Sequence, residues 1–149
     1  MTVMSRMAID TALVRRVLVN FIEEEVTKVG FQRALLGLSG GVDSAVACAL
    51  AAEALGAQQV LALLLPYRTS SPDSEGDALL VAQTFGVLTR KIEITAMTDG
   101  YLDQFPHLSQ KRRGNVMARM RMIAWYDQSE EWNGLVIGTS NKTELLLGY

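Results

Sequence analysis

Residues 34–56 read ALLGLSGGVDSAVACALAAEALG. The apolar run Ala34-Leu35-Leu36-Gly37-Leu38 has the length of a buried strand rather than a helix. Residues 44–55, SAVACALAAEAL, are small helix formers closed by Gly56. Between them lies Ser39-Gly40-Gly41-Val42-Asp43-Ser44, a turn of two glycines, two hydroxyls and one carboxylate. An apolar strand, a glycine turn and a helix in direct succession are the opening of a βαβ unit.

The remainder of the chain repeats that alternation. Asp10 to Val29 carries Leu13, Val17, Phe21 and Val29 at helical spacing, with Leu18, Ile22 and Val26 beside them, Glu23 to Glu25 on the polar side and Gly30 after. Val60 to Leu65 is a second all-apolar strand, stopped by Pro66. A helix is predicted over Asp73 to Phe85 before Gly86, a short strand over Lys91 to Ile94, and a loose stretch over Tyr101 to Ser109. A helix from about Gly114 to Asp127 and a strand at Leu135 to Ile137 follow. Strands apolar on both sides, alternating with helices, predict an α/β fold: a Rossmann-like parallel sheet with helices on both faces. Such sheets bind ligands beyond the carboxyl ends of their strands, where the strand order reverses. Two polar loops follow strands, 38–44 and 138–144, and they share one crevice if the first and fourth strands are neighbours.

At 149 residues the chain has the size of a single domain, 1–149. Its 49% apolar and 20% charged residues are those of a globular protein rather than a disordered one. A net charge of −2 gives no general attraction to nucleic acid. No apolar run reaches the roughly 18–20 residues that span a bilayer, and MTVMSRMAID has no apolar signal stretch. One cysteine, Cys48, excludes an internal disulfide and a cysteine-rich metal cluster, and suits a reducing cytoplasm. The spacing places Cys48 in the core of its helix.

The chemistry lies in the two loops. Glycines let the backbone turn and approach a ligand without a Cβ in the way, and the helix N-terminus behind them offers free N–H groups to an anion. Ser39 and Ser44 can add hydroxyl donors to phosphate oxygens. No lysine follows the glycines, so this is not the loop of ordinary kinases and GTPases. Asp43 is out of place beside a bound anion unless a cation lies between them, which Mg²⁺ would resolve; otherwise it is a first-turn helix acid. In Gly138-Thr139-Ser140-Asn141-Lys142-Thr143-Glu144, two readings stand open. Asn141 and Glu144 have capping-box spacing; alternatively, Thr139 and Glu144 complete a nucleotide and metal site with Asp43. Lys111, Arg112, Arg113, Arg119 and Arg121 make one locally basic segment, with surface solvation the plain reading of Lys111 and Arg121. Met117, Met120, Met122 and Ile123 read as packing or subunit contacts, and His107 has no partner spacing.

SGGVDS resembles the pyrophosphate-binding loop of the ATP pyrophosphatases, whose fold is adenine nucleotide alpha hydrolase-like. KRRGNVMARMRM at 111–122, GTSNKTELLLGY at 138–149 and LPYRTSS at 65–71 resemble the NAD synthetase family within that group. The resemblance implies ATP binding by Gly37, Leu38, Ser39, Gly40, Gly41, Val42, Asp43, Ser44, Arg68 and Thr139. It implies Mg²⁺ on Asp43 and Glu144, and deamido-NAD on Arg119, with no protein nucleophile. The implied reaction adenylates deamido-NAD with ATP, and ammonia then displaces AMP to give NAD. Only 36 residues precede the first loop, too few for a glutaminase domain, so the ammonia-dependent type is expected. The family is homodimeric and its members continue past the equivalent of Tyr149. These residues are accordingly expected to be its N-terminal part, lacking the family's C-terminal strand and helices. The alternatives are another ATP pyrophosphatase, of the GMP synthetase or tRNA-modifying type, or a nucleotide-binding fragment without turnover.

Overall fold

A computed structural model of the chain describes residues 8–147. The reading of residues 1–7 as signal-free, and the last two residues of the 138–149 motif, therefore lie outside the described residues. Four strands form one parallel sheet: β1 (Ala34–Gly37), β2 (Val60–Leu64), β3 (Leu88–Lys91) and β4 (Leu135–Val136), in the order β3-β2-β1-β4. The helices are α1 (Thr11–Lys28), α2 (Val42–Leu55), α3 (Pro72–Phe85), α4 (Thr95–Leu102), α5 (Gln110–Trp132) and α6 (Lys142–Leu147).

β1 is central because Ala34 stands beside Val60 on one edge and beside Leu135 on the other. Side chains alternate across the sheet, and both faces are apolar. Leu36, Ala62 and Leu64 pack with Cys48 and Ala51 of α2 and with Ala78 and Ala82 of α3. Leu35, Leu61 and Leu63 point to the opposite face, against Met117, Ala124 and Trp125 of α5. Parallel crossovers keep one hand. The outward steps from β1 to β3 therefore place α2 and α3 on one face, and the return to β4 places α5 on the other.

The first two strands, the loop and the helix behind it stand where the sequence predicts. β3 does not. It pairs Leu88 to Lys91 with Leu61 to Leu64, three residues earlier than expected. The expectation rests on the polar–apolar alternation of Lys91 to Ile94, whereas the paired edge residues include Thr89, Arg90 and Lys91 and are half-exposed, so their composition does not mark them as a strand. Ile92 and Ile94 follow beside the end of β2, donating to Leu64 and Pro66 carbonyls at 2.9 Å each. α4 is a helix the sequence reading does not contain; it takes Tyr101 and Leu102 from the predicted loose stretch, and its Thr98 and Leu102 are buried. Its Thr95, Thr98 and Gly100 are poor helix formers, so packing on α5 decides its state. α5 is longer than predicted, beginning after Ser109, whose Oγ accepts from Arg112 N, and ending at Asn133 with φ +51°.

α1 forms as predicted and packs on α2, with Arg15 paired to Glu53 at 2.6 Å. Its apolar row is not covered: Val26 is buried, but Leu13, Val17, Leu18 and Phe21 are exposed. Cys48 is fully buried, and desolvation pushes its thiol up to about 11. At pH 8 the native chain should thus resist thiol reagents, with labelling only as fast as unfolding exposes Cys48. Timed alkylation with and without urea checks this, and rapid labelling of the native chain would contradict the burial.

Candidate active site at the carboxyl ends of the strands

Where β1 ends, Leu38 N still donates to Leu63 O at 2.9 Å, and the chain then turns through Ser39, Gly40 and Gly41 into α2. Gly40 has φ +81°, and a Cβ there would lie 2.5 Å from the Ser74 carbonyl oxygen of α3. Gly41 is the N-cap in extended geometry, where a Cβ would meet nothing closer than Ser39 Oγ at 3.4 Å. Gly37 is also required small, because a Cβ would fall 2.5 Å from Trp125 Cζ2 of α5. Ser44 is buried and directs its hydroxyl proton to Gly41 O at 2.8 Å, while its Oγ accepts from Ser39 N at 3.3 Å. Ser39 Oγ lies 3.2 Å from the same oxygen and accepts from Gly41 N at 3.4 Å. In this geometry Ser44 shapes the loop, and Ser39, which is exposed, borders open space.

The second loop arrives from β4, on the other edge of β1. Asn141 caps α6: its Oδ1 accepts from Glu144 N at 2.9 Å, and Asn141 N donates back to Glu144 Oε2 at 3.1 Å. The capping box is thus present. Asn141 Nδ2 also donates to Asp43 Oδ2 at 3.3 Å, which joins the two loops across the reversal of strand order. Capping and site-building are therefore not exclusive readings of Glu144, since one asparagine holds both carboxylates. No cluster of three or more His, Cys, Asp or Glu occurs among the described residues. The Asp43 and Glu144 oxygens, as a hard two-carboxylate set, suit Mg²⁺, which takes few protein ligands and completes its shell with water and phosphate.

A cleft of about 760 Å³ opens here, lined by Gly37, Leu38 and Ser39, by the ends of β2, by Ser70 to Pro72, and by Arg121, Trp125 and Thr139. Thr139 is thus brought together with Gly37 to Ser39, whereas Gly40 to Ser44 and Glu144 stand outside this lining. Arg68 and Arg119 do not line it. Arg68, at the rim after β2, pairs with Asp99 at 2.9 Å and lies over the Tyr67 ring; Tyr67 Oη donates to the same carboxylate at 2.7 Å. Arg119 is exposed on α5, its Nη1 2.9 Å from Met122 Sδ. Arg121, read from sequence as a solvated surface charge, is instead half-buried and donates from Nε to Leu65 O at 3.1 Å; burial lowers its guanidinium from the ordinary value. Surface solvation fails because α5 turns its Met117, Arg121, Ala124 and Gln128 row towards the sheet. That four-three-four spacing is the signal that could have found it.

Residues 14–149 match the model of the NAD synthase family. The chain belongs to that family. The GMP synthetase-like and tRNA-modifying alternatives are thereby set aside. An NH(3)-dependent NAD(+) synthetase of Trichlorobacter lovleyi is 58% identical over 146 residues, 98% of this chain and 54% of that protein. Among solved structures, an NH3-dependent NAD synthetase from Campylobacter jejuni superposes with a TM-score of 0.89 at 40% identity, over 95% of this chain and 62% of that one. A glutamine-dependent NAD+ synthetase from Acinetobacter baumannii, solved with ADP, gives 0.89 at 34% identity, over 95% and 28%. The chain spans about half the length of the curated relatives it matches.

Three substitutions check the geometry of the NAD synthase loops. Gly40→Ala should lower stability by about 1–3 kcal/mol, whereas Gly41→Ala should stay within about 0.5 kcal/mol; urea unfolding of both measures the difference. Asn141→Asp keeps a capping group but sets a third carboxylate beside those of Asp43 and Glu144. Its loss of about 0.5–1.5 kcal/mol should shrink in 1 M NaCl, as screening predicts.

Proposed function

We propose that this chain acts in the ATP-dependent amidation of deamido-NAD to NAD, with ammonia as nitrogen donor and AMP and pyrophosphate as products. The observation that carries the reading is the meeting of loops 38–44 and 138–144 at the β1–β4 reversal, in a member of the NAD synthase family. An attack on the α-phosphorus of ATP needs the leaving pyrophosphate gripped as its charge grows. The first-turn amides of α2, Val42 to Ser44, suit that grip, since the N–H groups of Leu38, Ser39 and Gly41 are engaged within the fold; Ser39 and Thr139 add hydroxyls on two sides of the crevice.

Asp43 and Glu144 would hold Mg²⁺, which supplies neutralisation of phosphate charge when bound. The deamido-NAD carboxylate is the first nucleophile: its oxygen bonds to the α-phosphorus as the bond to the pyrophosphate oxygen breaks. Ammonia then adds to the activated carbonyl carbon, AMP leaves and a proton is released. Protein nucleophiles take no part; the chain orients the reactants and excludes water. Arg119 is assigned to deamido-NAD and Arg68 to the ATP rim, the latter after exchange of its Asp99 partner. A homodimer is part of the reading, supported by the uncovered Leu13, Val17 and Phe21 of α1 and Ile123 and Tyr126 of α5. The lone, buried cysteine and the absence of a membrane-spanning helix among the described residues accord with a cytoplasmic location.

Incubation with ATP, Mg²⁺, deamido-NAD and ammonium, followed by chromatography, should yield NAD and AMP in equal amounts. Asp43→Asn should reduce the rate at least 100-fold, because a carboxylate for the metal is lost. ATP binding without AMP release would assign a nucleotide-binding module instead, and no ATP binding at all would remove the reading.

A further inference from the structure

The cleft contains one cation for which neither the fold nor the proposed roles above account. Its lining includes two positive side chains, Lys91 and Arg121. Lys91 Nζ is held by Glu75 Oε1 at 2.6 Å. Arg121 enters none of the ion pairs among the described residues. The other lining acid, Glu93, accepts from Thr95 Oγ1 at 2.8 Å. A half-buried guanidinium with no acid beside it is costly unless an anion completes it.

Geometry says where that anion would lie. Nε of Arg121 donates to the carbonyl of Leu65, just past the end of β2, so the plane of the guanidinium is fixed by the strand next to β1. One turn further along α5, Trp125 rests against Gly37, where the first loop begins. Arg121 therefore stands over the strand ends from the face opposite α2, while the α2 N-terminus approaches from the other. The remaining N–H groups form the planar fork that suits two phosphate oxygens.

We propose that Arg121 is a nucleotide-contacting residue, binding a phosphate of ATP from the α5 side of the crevice. This rests on the ATP reading given above and adds to it a residue outside the two loops. An alternative in which Arg121 only ties α5 to β2 would need the Nε bond and leave the rest of the fork without purpose.

Calorimetric titration of the chain with ATP and with adenosine, both in Mg²⁺, tests this in the native sequence, Arg121→Gln and Arg121→Lys. Arg121→Gln should weaken ATP about 10- to 100-fold and change adenosine less than twofold; Arg121→Lys, which keeps the charge, should recover part of the loss. Urea midpoints identify any variant that fails to fold, and the lysine variant then carries the comparison. Unchanged ATP affinity in Arg121→Gln, or equal losses for ATP and adenosine, would overturn the inference while leaving the ATP reading intact. A native chain that binds no ATP would remove the reading on which it rests.

Discussion

The amide of Leu135 donates to the carbonyl of Arg33 at 2.9 Å, and that of Ile137 to Leu35 at 2.8 Å. These two bonds hold the short β4 to the free edge of β1, and the site depends on them. Without them the Gly138 to Glu144 loop would have no reason to stand near Asp43. With them, β1 has a parallel neighbour on each side, its two flanking connections run over opposite faces, and the crevice between them is open at the carboxyl ends. The remaining requirements are local. Gly37 must be small for Trp125, Gly40 must be left-handed and small for Ser74, and Asn141 must reach both acids.

The parts of this arrangement that can be read from sequence are those whose surroundings are uniform. β1 and β2 are buried on both faces, so their residues are apolar without interruption, and no knowledge of neighbours is needed to find them. The glycine turn is legible because only particular backbone conformations and close approaches demand glycine there. β3 is an edge strand with alternating exposure, and α4 is a helix made of weak formers; both owe their existence to what they pack against.

The same distinction divides the site. Residues of the loops were legible as a set, since hydroxyls, glycines and a carboxylate after a strand have a shared chemical logic. Individual arginines were not. Arg119 and Arg121 are two residues apart on one helix, hence on different faces. Only the docking of α5 on the sheet decides that Arg121 enters the cleft while Arg119 stays at the surface. Asn141 shows a further limit: its spacing to Glu144 is local and readable, but its bond to Asp43 spans 98 residues and follows from strand order alone.

The central claim is that both loops, brought together by the β1–β4 pairing, grip one ligand. Amide hydrogen exchange of the chain with and without ATP and Mg²⁺ tests it most directly. The account predicts slowed exchange in two separate segments, Ser39 to Ser44 and Thr139 to Glu144, appearing together over the same range of ATP concentration. Protection of the first loop alone, or of a surface distant from both, would contradict it.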